Sequence, residues 1–361
     1  SPVVSPDGRW VAYVFSDGRE DALGLVDAEG QDWPVKLVRG SDFYRNPTWH
    51  PRGEWLAWVE WDHPNMPWDG TRLMLARMEG SPPRPVEVRQ VAGGKRIPAQ
   101  QPRFSPDGRW LSFVEGSGEW ENLVLLELSS GEKRTLVAGD GFTLASPAWG
   151  QGGQDYAWSG TSQRLYGLHI RGGFTTLWQV ELDGAVRQID TGPYTDLSAL
   201  DVSPAADEVV FAASAPDVPL RLVRWDGRRL VTGAYLTVES VPQEMLPTVR
   251  ELTWSAPDGT TVYGLYYAPR NPRYTSTGLP PAFIQIHGGP TAAASSSFST
   301  AVAYFTSRGY GFLDVNYRGS TGFGRSYQDQ LLNAWGLVDV EDAAGAARAL
   351  ASQGLADPKR L

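Results

Sequence analysis

Two glycine-rich stretches hold the residues best able to do chemistry. The first, Phe283-Ile-Gln-Ile-His-Gly-Gly-Pro290, is a short apolar run that stops at His287, Gly288, Gly289 and Pro290. The second is Asn316-Tyr-Arg-Gly-Ser-Thr-Gly-Phe-Gly324. Phe283, Ile284 and Ile286 suit a buried parallel strand, and the two glycines end it. Lacking Cβ atoms, Gly288 and Gly289 let a backbone N–H approach a ligand closely. N–H groups fixed at the end of a strand can hold the negative oxygen that develops in acyl transfer. The competing reading is a plain strand-to-loop turn.

The side chains around these glycines carry paired readings. His287 is either a hydrogen-bonding histidine under the loop or a further donor to the oxyanion. Arg318 can bind a substrate carboxylate bidentately, or tie its own loop to neighbouring carbonyls. Ser320 has no histidine placed in sequence to serve as its base and reads as structural. Ser162, in Gly160-Thr-Ser-Gln-Arg164, lacks the second glycine of a nucleophile elbow and reads as a loop serine. Glu60, Asp62, His63 and Asp69 are metal-ligand types, but their spacing matches no standard site. The prolines among them make a rigid loop that presents Met66 and Trp68, as plain structure or as a wall of a substrate path. Gly322 and Gly324 lack the Lys-Ser/Thr of a phosphate loop.

Strands and helices must alternate to bring the two glycine loops together. After Phe283–Ile286, the helical spacing of Phe298, Val302 and Phe305 predicts a helix that Gly309 ends. Tyr310–Val315 reads as a second buried strand. Val340, Ala343, Ala344, Ala347 and Leu350 mark the inner face of a further helix, whose first turn holds Asp339, Glu341 and Asp342. Strand, helix, strand, helix implies a parallel sheet. A hairpin around Pro257-Asp-Gly259 precedes it.

The first two-thirds of the chain repeats. Ser5-Pro-Asp-Gly-Arg-Trp10, His50-Pro-Arg-Gly-Glu-Trp55 and Ser105-Pro-Asp-Gly-Arg-Trp110 each lead into an apolar strand. Worn copies read as Gly150-Gln-Gly-Gly-Gln-Asp155 and Ser203-Pro-Ala-Ala-Asp-Glu208. In the turn, Pro presets φ, Asp bonds back to the backbone and Gly takes the left-handed place. Strands recurring at roughly 40–50 residues mark a β-propeller, here with at least five blades. A β-sandwich with recurring turns is the alternative. The repeat breaks at Val241–Pro247, which divides a propeller over 1–245 from an α/β part over 246–361.

His287-Gly-Gly-Pro290, Asn316–Gly324, Trp335-Gly336 and Asp339-Val-Glu-Asp342 together resemble the prolyl oligopeptidase family of serine peptidases, most of all its acylaminoacyl peptidase branch. His63–Asp69 is similar to a propeller loop of that branch. The resemblance implies an all-β propeller followed by the N-terminal part of an α/β-hydrolase domain. It implies a Ser-His-Asp mechanism whose three residues come after Leu361, so this chain by itself is expected to hydrolyse no peptide. It places the oxyanion donors on the Gly288 and Gly289 backbone, with Gly289 first. Arg318, Met66 and Trp68 become candidate substrate contacts. The expected substrates are short peptides, in the manner of acylaminoacyl or dipeptidyl peptidases. No metal and no organic cofactor are implied.

Composition agrees with a folded chain. The 361 residues are 41% hydrophobic and 20% charged, and the net charge of −9 argues against nucleic acid and anionic membranes as partners. There is no cysteine, which excludes disulfides and thiolate metal sites. No apolar run is long enough to span a bilayer. A cytoplasmic location is expected, and homo-oligomerisation is left open. Two other functions compete. One is a non-catalytic binding propeller, since the repeats also resemble TolB-type propellers. The other is an esterase or lipase, since His-Gly-Gly also opens their oxyanion loops.

Overall fold

The computed structural model describes residues 2–236, 241–289 and 291–361, so Pro290 of the first glycine loop lies outside the described residues. Residues 3–235 form five four-stranded antiparallel sheets, each a meander in chain order. These are propeller blades. The repeated turn explains why each begins alike. Ser5 Oγ donates to Asp7 at 2.6 Å and accepts the Trp10 N–H at 2.9 Å, while Gly8 takes φ +74°. Ser105, Asp107, Gly108 and Trp110 reproduce this, with distances of 2.6 and 2.9 Å and φ +75°. Trp10, Trp55 and Trp110 each open the second strand of their blade, opposite Asp27, Arg77 and Glu127 of the third.

One copy of the turn lies elsewhere than the sequence suggested. Gly150–Asp155 is not a blade turn, and Tyr156–Trp158 is the first strand of the fourth blade, not its second. The true turn is Ser159–Arg164, where Ser159 N donates to Arg164 O at 2.9 Å. Its left-handed position is filled by Ser162, at φ +60°, rather than by glycine. The glycines at 150, 152 and 153 belong to a loop that Arg45 holds through the Ala148 and Gly150 carbonyls, at 2.8 and 2.7 Å.

Blades pack face to face. Leu56 and Trp58 point toward Leu23 and Leu25 of the first blade, while Ala57 and Val59 point toward Leu111 and Phe113 of the third. Two-sided burial of alternate residues is why these strands read as continuous apolar runs.

The sixth sheet is mixed. Its order is Val249–Ser255, Thr261–Tyr267, Gly311–Asn316, Ala282–Ile286, with the last two parallel. Helix α1 (Thr300–Thr306) lies between the parallel strands in sequence, capped by Ser299 and ended at Gly309. Val302 of α1 packs with Phe312 on one face; on the other, Leu313 and Val315 meet Ala346, Ala349 and Leu350 of helix α3 (Val338–Ser352). A short helix α2 (Arg325–Asp329) lies between. The buried face of α3 differs from the predicted one. It carries Asp342, Gly345, Ala346, Ala349 and Leu350, whereas Val340 is 60% exposed. Alanines are too small to fix a helix face. Two specific contacts fix it instead. An added Cβ at Gly345 would lie 2.8 Å from Trp254 Nε1, and that indole donates to Asp342 O at 3.2 Å.

Loops of the mixed sheet dock on the blades by hydrogen bonds to main-chain atoms. Ser296 N donates to Gly173 O at 2.7 Å, Thr195 Oγ1 to Ser296 O at 2.9 Å, and Arg325 N to Glu119 O at 2.9 Å.

Gly8 and Gly108 share a turn position and a φ, but not surroundings. An added Cβ meets nothing within 4 Å at Gly8, whereas at Gly108 it lies 2.4 Å from Nε2 of the buried His50. That nitrogen also bonds Gly108 O at 3.1 Å. Gly8→Ala should cost about 1–2 kcal/mol for its backbone alone. Gly108→Ala should cost about 1 kcal/mol more, because His50 must give up its bond. Equal losses in chemical denaturation would show that His50 yields freely.

Candidate functional site

Arg318 organises the second glycine loop. Its side chain is 3% exposed and bonds three carboxylates: Asp342 through Nε and Nη2, Glu341 at 2.6 Å and Asp258 at 2.8 Å. Its own backbone N–H donates to Asp342 at 2.8 Å. Burial pulls the Asp342 carboxyl up, against the guanidinium and N–H that hold it ionised. A guanidinium so engaged holds its own structure. Arg318 is therefore not a free substrate anchor, and its partners are carboxylates rather than loop carbonyls.

The loop fixed by Arg318 fixes the first glycine loop in turn. Asn316 takes the Ala294 N–H at 2.7 Å and donates to Ala294 O at 3.3 Å. Thr321 N donates to Ala292 O at 2.9 Å. Tyr317 stacks on the His287 ring, with centroids 4.4 Å apart, and its hydroxyl donates to His287 O at 3.1 Å. His287 Nε2 lies 2.8 Å from Ser320 Oγ. Sequence order offered Ser320 no base, yet adjacent parallel strands bring their carboxyl-terminal loops together and pair the two. Ser320 is nevertheless fully buried, so no scissile carbonyl reaches it, and it remains structural. Gly288 and Gly289 are exposed, and neither N–H has a hydrogen-bond partner among the described residues. Gly289 takes φ +140°.

Beside this loop a narrow cleft opens between propeller and mixed sheet. Trp68, Trp120 and Glu121 line it from the blades, and Thr291, Thr321 and Arg325 from the other side. Trp68 packs against Trp149 at an interplanar angle of 49°, with centroids 4.5 Å apart, and the Trp149 indole donates to Thr291 O at 2.5 Å. Met66 is 43% exposed but is not part of the cleft wall. The carboxylates near Met66 are committed elsewhere: Glu60 and Asp62 to Arg72, and Asp69 to the Met66 N–H.

These features have counterparts in known proteins. The sequence model of the prolyl oligopeptidase family matches residues 296–361. Over those residues the chain is similar to the prolyl oligopeptidase family. An acylamino-acid-releasing enzyme of Arabidopsis thaliana is 40% identical over 81 residues, 22% of this chain and 11% of that protein. A probable dipeptidyl-peptidase 5 of Aspergillus terreus is 25% identical over 329 residues, 81% of this chain and 41% of that protein. The structure of a puromycin-hydrolyzing peptidase of Mycobacterium tuberculosis superposes with a TM-score of 0.91 at 33% identity, covering 100% of this chain and 57% of that one. The chain thus spans little more than half of these prolyl oligopeptidase family relatives, or less.

Sequence reasoning missed Glu121, Trp120 and Trp149. A signal existed for two of them. Trp120 and Glu121 sit between the second and third strands of their blade, the same connection that carries Trp68 one blade earlier. Repeat register alone sends both loops to one rim of the propeller. Trp149 has no such equivalent.

Glu121 carries a testable charge. Leu144 N and Ala145 N donate to its Oε2 at 2.9 and 3.1 Å, and Gln100 to its Oε1 at 3.2 Å. Burial outweighs these bonds and pushes its carboxyl up from 4.5 to about 7. A raised acid holds its proton more tightly when folded. Its contribution is therefore full below about pH 4.5 and is lost as pH rises to about 7. Glu121→Gln keeps an acceptor for both N–H groups and removes that loss. The variant should gain on the order of 2–3 kcal/mol relative to its parent between about pH 5 and about pH 8. Parallel unfolding curves at the two pH values would refute this.

Proposed function

We propose that the full-length protein is a serine exopeptidase acting on short peptides with apolar side chains. The observation that carries this reading is the pair of exposed N–H groups of Gly288 and Gly289, which have no partner among the described residues. They stand at the carboxyl end of a parallel strand, beside a cleft that the propeller roofs. Preorganised donors of this kind stabilise charge where it develops in acyl transfer. The indoles of Trp68 and Trp120 give the cleft an apolar wall. The propeller cover suits short chains over folded proteins. Relatives named as dipeptidyl-peptidase and acylamino-acid-releasing enzyme favour release of residues from a peptide end. In this reading a serine attacks the scissile carbonyl, a histidine takes its proton and an aspartate orients that histidine. None of the three is assigned to a residue of this chain. Assay of the full-length protein against short peptides, with fluorophosphonate labelling, tests the reading. Absence of both hydrolysis and labelling would end it.

Within that enzyme, Gly289 is the donor of choice. Its φ of +140° excludes proline as a clean probe, since proline is locked near −65°. Alanine serves better. An added Cβ at Gly289 lies 2.9 Å from Thr291 N in a conformation L residues avoid, so the peptide must turn; at Gly288 it meets nothing within 4 Å. Gly289→Ala should lower kcat toward the roughly 10²–10³-fold loss of a missing oxyanion donor, with KM little changed. Gly288→Ala should stay near the parent. Equal kcat in both variants would remove Gly289 from the oxyanion site.

A further inference from the structure

The indole N–H of Trp149 crosses from the propeller to the first glycine loop. It donates to Thr291 O at 2.5 Å, across 142 residues of sequence. An indole nitrogen can only donate, so the direction of this bond is fixed. Among the described residues no other hydrogen bond reaches that carbonyl, and Thr291 is only 4% exposed. The rest of the segment is held from its own side. Thr321 N donates to Ala292 O, and the Asn316 amide bonds both N–H and C=O of Ala294. At Thr291 the hold comes from the propeller. Trp149 is itself set in place. Its loop leaves the fourth blade, where Ser146 N and Oγ donate to Asp155 at 2.7 and 3.0 Å. It crosses to the second blade, where Arg45 bonds the carbonyls on either side of Trp149 and Gln151 donates to Tyr44 O at 3.0 Å. The indole ring packs against Trp68.

The hold at Thr291 reaches Gly289 by contact. The chain folds back on itself here, so that an added Cβ at Gly289 would lie 2.9 Å from Thr291 N, 3.5 Å from Ala292 N and 3.4 Å from Ala292 Cβ. A turn of the peptide between Thr291 and Ala292 therefore moves the surface against which Gly289 rests. Fixing the Thr291 carbonyl stops that turn. We infer that Trp149 is a positioning residue, whose indole N–H, by holding Thr291 O, keeps the first glycine loop in the shape that presents the Gly289 N–H. The inference rests on the reading of Gly289 as the oxyanion donor. It gives the propeller a part in the chemical step, although Trp149 touches no reacting atom. It also explains why a buried arginine is spent on two loop carbonyls: Arg45 fixes the backbone on both sides of the one residue that reaches Thr291.

Three measurements on the full-length protein test this. Trp149→Phe keeps a ring against Trp68 and removes the donor, at a side chain that is 54% exposed and so tolerates the change. In steady-state hydrolysis of a short peptide it should lower kcat about fivefold, the equivalent of one ordinary hydrogen bond, with KM almost unchanged. No loss, or a loss confined to KM, overturns the inference. The second is a double-mutant cycle with Gly289→Ala. If Trp149 acts through the Gly289 N–H, Trp149→Phe should cost less than about twofold once Gly289→Ala has displaced that group. Two losses that multiply in full overturn the inference. The third needs no activity. In protein labelled with ¹⁵N-tryptophan, the Trp149 indole proton, identified by its absence from Trp149→Phe, should exchange with water at least about tenfold more slowly than that of Trp33, which is 92% exposed. Exchange as fast as at Trp33 overturns the inference. A protected Trp149 proton in a protein that hydrolyses nothing supports the hold on Thr291 and discards the peptidase reading alone.

Discussion

A buried arginine cannot be left without partners, and the α/β part of this chain is arranged around that constraint. Removing one member of a buried ion pair typically costs about 3–5 kcal/mol, because the other charge stays behind. Arg318 meets it with Asp342 at 0% exposure and with Glu341 and Asp258 at the surface. The three acids come from two places, the start of α3 and the turn of the opening hairpin. One side chain thus joins helix, hairpin and glycine loop. Acids in the first turn of α3 also suit the positive end of the helix dipole, a contribution of about 0.3–1 kcal/mol at a surface. Pairing with Arg318 is the larger effect, and it also sets which side of the helix faces in.

This explains what could be read from the chain and what could not. The propeller was legible because its turn is a local device. Ser5, Asp7, Gly8 and Trp10 satisfy one another within six residues, so the sequence repeats wherever the turn does. The fourth copy was misplaced because its backbone bonds survive while its signature residue does not. Ser162 accepts the left-handed conformation, and its hydroxyl takes the Asp107 N–H of the preceding blade at 2.9 Å. A tertiary bond there stands in for the freedom of glycine, and no local rule reports it. The face of α3 was misread for a related reason. Alanine spacing carries little information, and a buried aspartate breaks the apolar pattern.

The candidate site divides along the same line. A strand ending at Gly288 and Gly289 was legible, but its burial was not: it lies at the sheet edge, with Phe283 39% and Ile286 49% exposed. Arg318 kept two readings because only its partners separate them, and those lie 60 residues before it and 23 and 24 after it. The pairing of His287 with Ser320 spans 33 residues and follows from the parallel register, which places Ile286 opposite Val315. Once that register is set, the loops that follow each strand must meet. The sequence predicted the parallel pair but not this consequence, which was available from it.

The propeller does more than cover the cleft. Trp149 lies in the loop that Arg45 holds, and its indole grips the carbonyl of Thr291, two residues beyond Gly289. Arg45 is itself buried, and burial lowers its pKa to about 10, a cost that its hydrogen bonds to Ala148 and Gly150 help to offset. A displacement of the second blade therefore reaches the first glycine loop through Arg45, the 146–154 loop, Trp149 and Thr291, each in hydrogen-bond contact with the next or covalently joined to it. From the opposite side, Arg318 reaches the same loop through Asn316 and Ala294. Thr291 and Ala294 are thus held from different parts of the molecule. A loop held at both ends cannot drift with either part alone, and that is the condition a preorganised donor needs.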